Sequence, residues 1–168
     1  MKFKIETWKD NKTLRSISEP IGRSEIRKYS ELWEEMIKFI KDPENNGVWL
    51  AAPQIWINKR LICVSLLKSY EDENFKTIYM INPEILDYSY DFAVDNEWCL
   101  SMPKVFWDVA RAKNIKVKYT DSKWKENVLF LSWIPSRIVQ HEIDHLNWVL
   151  FVDKIAQDDE NPLKQHVL

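Results

Sequence analysis

His141 and His145 stand four residues apart in the segment His141-Glu142-Ile143-Asp144-His145, and that spacing has chemical sense in one local conformation. On an α-helix, residues i and i+4 share a face, so both imidazoles can reach one divalent ion at about 2.0–2.1 Å. The glutamate between them stands beside that face, where it can polarise a water or carry its proton. The neighbouring residues agree, because Ile134, Ile138, His141 and His145 recur at helical steps and predict a late helix over residues 134–147. A pattern of five residues also occurs on ordinary solvated helices. Here, however, it takes two of the three histidines in the chain, and the third, His166, lies in a polar tail and reads as solvated.

A catalytic metal normally takes three protein ligands and keeps one position open. Downstream of the helix the sequence offers only carboxylates and His166. Upstream stands Cys99, within Asn96-Glu97-Trp98-Cys99-Leu100-Ser101-Met102-Pro103. An isolated cysteine is most simply a buried structural thiol, whereas beside a histidine pair it is a credible thiolate ligand. One thiolate and two neutral imidazoles would leave a divalent site at a net charge of about +1, still able to acidify a bound water. The other cysteine, Cys63, sits in Leu61-Ile62-Cys63-Val64 and reads as a small core side chain.

The rest of the chain supplies one domain around this centre. Ile26, Tyr29, Leu32, Met36, Phe39 and Ile40 recur in steps of three and four, predicting an amphipathic helix over 24–41 with Ser24 as N-cap. Asp42-Pro43-Glu44-Asn45-Asn46-Gly47 stops it. Strands are expected at Arg60 to Leu67, Thr77 to Ile81, Ile115 to Tyr119 and Val128 to Leu131, with Asp121 to Asn127 as the turn between the last two. The fold class is therefore α+β, a single domain over 1–168: antiparallel sheets packed around the late histidine-bearing helix, plus an N-terminal helix. Residues 155–168 are expected to form a mobile tail. A formal net charge of -2 gives no general reason to expect DNA, RNA or an acidic membrane as partner, and no 18-residue apolar run spans a bilayer. Met1-Lys2-Phe3-Lys4-Ile5-Glu6 reads as the start of a folded element rather than a leader, and two cysteines are too few for a secreted disulfide framework. A reducing, cytoplasmic setting is expected.

Three segments, in order, resemble the peptide deformylase family: Gly47-Val48-Trp49-Leu50-Ala51-Ala52-Pro53-Gln54, Glu97-Trp98-Cys99-Leu100-Ser101, and Gln140 to Phe151. Weaker likeness runs from the Leu14-Arg15 region to about Asp153. The resemblance implies that Cys99, His141 and His145 hold the metal, commonly Fe²⁺ with Zn²⁺ or Ni²⁺ able to replace it. It implies that Glu142 is the general acid/base, and that the Gln54 side chain and the Leu100 backbone N–H stabilise the oxyanion. The implied reaction is hydrolysis of the N-formyl group from the initiator methionine of nascent polypeptides, a metal-held water attacking the formyl carbon. Val48, Ile134 and Ile138 are then candidates for the methionine pocket, and Trp49 marks the segment that would pair with the peptide. Arg111 matches a basic position of the family and would pair with Glu97 behind the metal loop. Contact of the short tail with ribosomes is left open. Two other readings compete: a generic H-E-x-x-H metallopeptidase, and an inactive or repurposed binding module that kept the fold.

All three motifs depart from the family pattern in one way. Trp49, Trp98 and Trp148 stand at glycine positions of the motifs; Trp8, Trp56, Trp107, Trp124 and Trp133 fall where relatives often have glycine; Trp33 is unassigned. The composition points the same way, with nine tryptophans and two glycines where roughly 7% glycine, about 12 residues, is usual. In Asp121-Ser122-Lys123-Trp124-Lys125-Glu126 an indole has nothing apolar beside it, whereas a turn glycine would suit. One cause covers all of this: a gene that uses UGA for glycine, conceptually translated with UGA as tryptophan. Literal tryptophans at positions 49 and 98 would impair the site.

Overall fold

The structure is a computed structural model that describes residues 3–45, 47–69, 72 and 75–154. The predicted tail and His166 lie outside the described residues.

Helix α1 (Ile26–Lys41) buries Tyr29, Trp33, Met36 and Ile40, the stripe that the spacing predicts. Ser24 is not its cap. A single 3-10 turn, Arg23–Glu25, precedes the helix, and the Glu25 carboxylate accepts the Gly22 backbone N–H at 2.8 Å. A carboxylate reaching back to the backbone thus serves the helix start where a serine hydroxyl was expected. The helix stops at Asp42, whose ψ of 116° is the extended conformation that a following proline enforces.

Five strands form one antiparallel sheet in the order β1-β2-β3-β6-β7, namely Trp49–Ala51, Leu61–Leu66, Lys76–Tyr88, Asn114–Thr120 and Glu126–Ser132. Two more, β4 (Phe92–Cys99) and β5 (Met102–Ala112), form a separate hairpin. The four expected strands are all present. β1, β4 and β5 were not foreseen, and β3 runs on past Asn82-Pro83, where its pairing with β6 shifts register.

The sheet carries a helix on each face. Along β2, Leu61 and Cys63 face α1, while Ile62 and Val64 face helix α2 (Ile134–Leu146). A strand covered on both faces reads as an unbroken apolar run, as Leu61-Ile62-Cys63-Val64 does. A third, smaller cluster around Leu14, Cys99, Met102, Val109, Leu150 and Phe151 seats the hairpin's turn against the rest of the domain. Among the described residues no helix is long and apolar enough to cross a membrane.

Among the described residues seven that are not glycine have positive φ, and five of these are tryptophan: Trp8 (76°), Trp56 (68°), Trp124 (60°), Trp133 (58°) and Trp148 (62°). The left-handed region costs an L-residue about 1–2 kcal/mol and glycine nothing. Five such positions cost about 5–10 kcal/mol, comparable with the whole stability of a domain, about 5–15 kcal/mol.

Candidate metal centre

Helix α2 brings one face of titratable groups into the interior. Arg137, His141, Glu142 and His145 are all buried. Residues 137, 141 and 145 follow one another by single helical turns, which stacks their side chains on one stripe. The hairpin lies against that stripe. Glu97 and Cys99 are two apart on β4 and so project to the same side, and a two-residue turn, Leu100-Ser101, returns the chain into β5.

Cys99 Sγ lies 3.3 Å from His145 Nε2, and one donor atom from each of Cys99, His141 and His145 falls within 4.8 Å of the others. The Cys99 sulfur also faces the Gln54 side-chain amide nitrogen and the Ser101 backbone N–H, each at 3.4 Å. Gln54 is set in place from both ends of its amide. Its Oε1 accepts the Ala51 N–H at 2.8 Å and its Nε2 donates to Ser101 Oγ at 3.1 Å, so the N–H end points at the centre. The 3-10 turn Ala52–Ile55 carries it there.

His141 is fixed by Glu97. Its Nδ1 lies 3.0 Å from Glu97 Oε2, and an ionised carboxylate can only accept, so Nδ1 carries a proton and Nε2 is the nitrogen turned toward the centre. That Nε2 has no hydrogen-bond partner among the described residues. Burial would push Glu97 up, but Arg111 overcomes it by charge and by two hydrogen bonds of 2.8 and 2.9 Å, with His141 adding to the effect. The carboxyl is held well below the usual carboxylate range. Arg137 adds a third contact, 2.6 Å from Nη1 to Glu97 Oε1. Arg111 in turn pairs with Asp144, which also meets Lys154 Nζ at 3.3 Å.

Burial decides the remaining groups. It pushes the Cys99 thiol up to about 12, with the Glu142 carboxylate adding to the effect. A thiolate in this interior therefore calls for a cation beside it. Burial also pulls His145 well below its usual value, leaving a neutral imidazole able to ligate. Glu142 is completely buried, both its carboxylate oxygens are unpartnered among the described residues, and burial raises its pKa well above the ordinary value. Its Oε1 is 3.9 Å from His141 Nε2. A soft sulfur, two imidazoles and a carboxyl with no hydrogen-bond partner among the described residues fit a divalent transition metal with one open position.

A cavity of about 270 Å³ opens beside His141, walled by Trp49, Trp98, Ile138 and Arg137. The indoles of Trp49 and Trp98 meet at a centroid distance of 5.9 Å. Ile134 lines a different cavity, with Trp133 and Arg111. Val48 packs against the core between sheet and α2.

Similarity to known proteins accompanies this geometry. Residues 2–161 match the family model described as polypeptide deformylase. The chain belongs to the peptide deformylase family. A Synechocystis peptide deformylase is 38% identical over 155 residues, covering 91% of this chain and 77% of that one. A Prochlorococcus marinus peptide deformylase is 32% identical over 162 residues, covering 94% and 80%. Among solved structures, a class I type b peptide deformylase from Acinetobacter baumannii with Met-Ala-Ser bound superposes with a TM-score of 0.84 at 33% identity, over 92% of this chain and 99% of that one.

Within this deformylase-family site, sequence reasoning missed Arg137 and Ser101. Arg137 bridges Glu97 to the carbonyls of Val109 and Ala93, at 2.9 and 2.7 Å, and so ties α2 to both strands of the hairpin. A signal was present: a cation one helical turn before His141, on the apolar stripe of a buried helix, needs a carboxylate partner. Ser101 had no comparable signal, because its role comes from the turn that brings it back over Cys99.

Proposed function

We propose that this chain, as a single catalytic domain, removes the N-formyl group from the initiator methionine of nascent polypeptides in a cytoplasmic setting. The observation that carries the reading is the convergence of Cys99, His141 and His145 within 4.8 Å, with the unpartnered Glu142 carboxyl beside them. Cys99, His141 and His145 would hold one divalent ion, Fe²⁺ natively, with Zn²⁺ or Ni²⁺ as substitutes. Such an ion, when bound, supplies Lewis acidity that makes a water nucleophilic near neutral pH.

The chain's own residues do the remainder. Glu142 takes a proton and returns it to the departing amine; its raised pKa suits both directions of that transfer. The Gln54 Nε2–H and the Leu100 backbone N–H donate to the formyl oxygen as charge develops there, and one well-placed donor of this kind is worth about 2.7–4 kcal/mol. Glu97, clamped by Arg111 and Arg137, holds the His141 ring so that Nε2 faces inward. The cavity beside His141, with Ile138 on its wall, receives the methionine side chain. β1 is an edge strand of the five-stranded sheet, so it has backbone groups to offer an extended peptide.

The test is formate release from formyl-methionyl peptides by the protein loaded with Fe²⁺, with unformylated peptides as control. Formate appearing only from the formylated series is the expected result. Internal peptide cleavage without formate would replace the reading with that of a general metallopeptidase.

A further inference from the structure

We propose that the functional protein carries glycine, not tryptophan, at positions 8, 56, 124, 133 and 148, and also at 49 and 98, while Trp33 is a true tryptophan. The backbone makes the first assignment without reference to any relative. Trp148 follows α2 in the position of a helix-terminating left-handed residue: its N–H donates to the His145 carbonyl at 3.4 Å, and the Val149 N–H donates to Asp144 at 3.0 Å. That pair of bonds is the Schellman arrangement, whose left-handed residue is usually glycine. Trp133 caps the start of the same helix at φ 58°, ψ -120°, a conformation that only a residue without Cβ adopts freely. Trp124 closes the β6–β7 turn at φ 60°, with its N–H donating to the Asp121 carbonyl at 2.9 Å, where a type I turn passes into a glycine bulge. Trp56 ends the 3-10 turn that carries Gln54, at φ 68° and ψ 11°. Trp8 turns at φ 76° while donating to the Ser101 carbonyl at 2.8 Å.

The side chains agree with the backbone. Trp8, Trp56, Trp133 and Trp148 are each more than half exposed, so their indoles contribute little burial to offset the conformation. Trp33 is the opposite case. It lies within α1, is 3% exposed, and stacks on Tyr79 at 4.7 Å between ring centroids. Trp49 and Trp98 occupy extended strands, and their assignment rests on space: their paired indoles stand on the wall of the cavity beside His141, where an extended peptide would have to lie. For Trp107 neither argument applies. One decoding rule produces this division, with UGA meaning glycine in the organism of origin and UGG meaning tryptophan.

Two experiments test it. The gene should read UGA at codons 8, 49, 56, 98, 124, 133 and 148 and UGG at codon 33, and the intact mass of protein purified from its native host should be lower by the tryptophan–glycine difference at each UGA. UGG at the five left-handed positions, or a native mass matching nine tryptophans, overturns the proposal. Separately, the nine-tryptophan chain is compared by thermal unfolding with a variant in which positions 8, 56, 124, 133 and 148 are all changed from Trp to Gly. The variant should melt higher by more than about 10 °C, or fold where the nine-tryptophan chain does not, and Trp33→Gly should lower the midpoint. A five-glycine variant no more stable than the nine-tryptophan chain overturns the assignment. None of these readouts uses deformylation, so they stand or fall apart from the proposed activity.

Discussion

Glu142 is a fully buried carboxyl with no hydrogen-bond partner among the described residues, and a group so placed is costly unless it works. Replacing it by glutamine keeps the volume and removes the proton transfer. Glu142→Gln should lower the rate of formate release by about 10²- to 10⁴-fold while metal content, measured on the purified protein, stays at one equivalent. Loss of the metal together with the activity would mean that Glu142 is a ligand or a structural group instead. Glu97 makes a contrasting case, since it touches His141 from behind and its single charge is shared between two buried guanidinium groups. Glu97→Gln should weaken metal affinity by about 10- to 100-fold, read by competition with a chromophoric chelator. Unaltered affinity would show that the His141 ring is oriented without it.

At the scale of elements, α2 is a helix with difficult ends. Its N-cap is Trp133 and its left-handed terminator is Trp148, while between them nearly every side chain is buried. Trp148→Gly alone should raise the unfolding free energy by about 1–2 kcal/mol, measured by denaturant titration with an unchanged slope. A lower stability would mean that the half-exposed indole contributes packing that outweighs its backbone conformation. Another join is Arg15 with Asp153, where Nη2 meets Oδ1 at 3.0 Å and ties the N-terminal segment to the 3-10 turn Phe151–Lys154. Burial opposes ionisation of Asp153, but the hydrogen bond from Arg15, with the Leu150 N–H and the Arg15 charge adding to it, holds the carboxyl below the ordinary aspartate range. A depressed folded pKa means stability that is present above the unfolded value and lost as pH falls through the folded one. The difference in midpoint between the parent chain and Asp153→Asn should therefore shrink as pH drops below about 4. A difference independent of pH would place the effect of Asp153 in its bond to the Leu150 N–H rather than in its charge.

For the whole molecule, the proposed ion would add a further tie between the hairpin, which carries Cys99, and α2, which carries His141 and His145. Removing it leaves a buried thiol and two buried imidazoles without the cation they converge on and loosens the seam between the hairpin and α2. An ion present at 1,000 times its dissociation constant stabilises by about 4 kcal/mol. Chelation should thus lower the melting temperature by roughly 8–16 °C, and added divalent ion should restore it. A midpoint indifferent to chelation would contradict a metal held between these elements.

The sequence by itself determined the elements whose reason is local. Helical spacing marked α1 and α2, alternation marked β6, and the i, i+4 histidines with one cysteine picked out three residues whose donor atoms the fold gathers within 4.8 Å. The three order-specific motifs supplied the family, and the excess of tryptophan over glycine was legible as composition alone. The hairpin β4–β5 was not legible, because Asp95, Asn96, Pro103 and Lys104 interrupt its pattern and pairing with a distant partner overrides the weak local preference. Nor did the sequence say that Arg137 would close on Glu97, or that Ile134 would turn away from the cavity that Ile138 lines. Those facts depend on the rotation of α2 against the hairpin, which no local pattern encodes. The tertiary structure also separated the tryptophans: backbone conformation is set by what the chain must connect, so only the fold showed which positions hold a positive φ that favours glycine and that Trp33 is a packed core side chain.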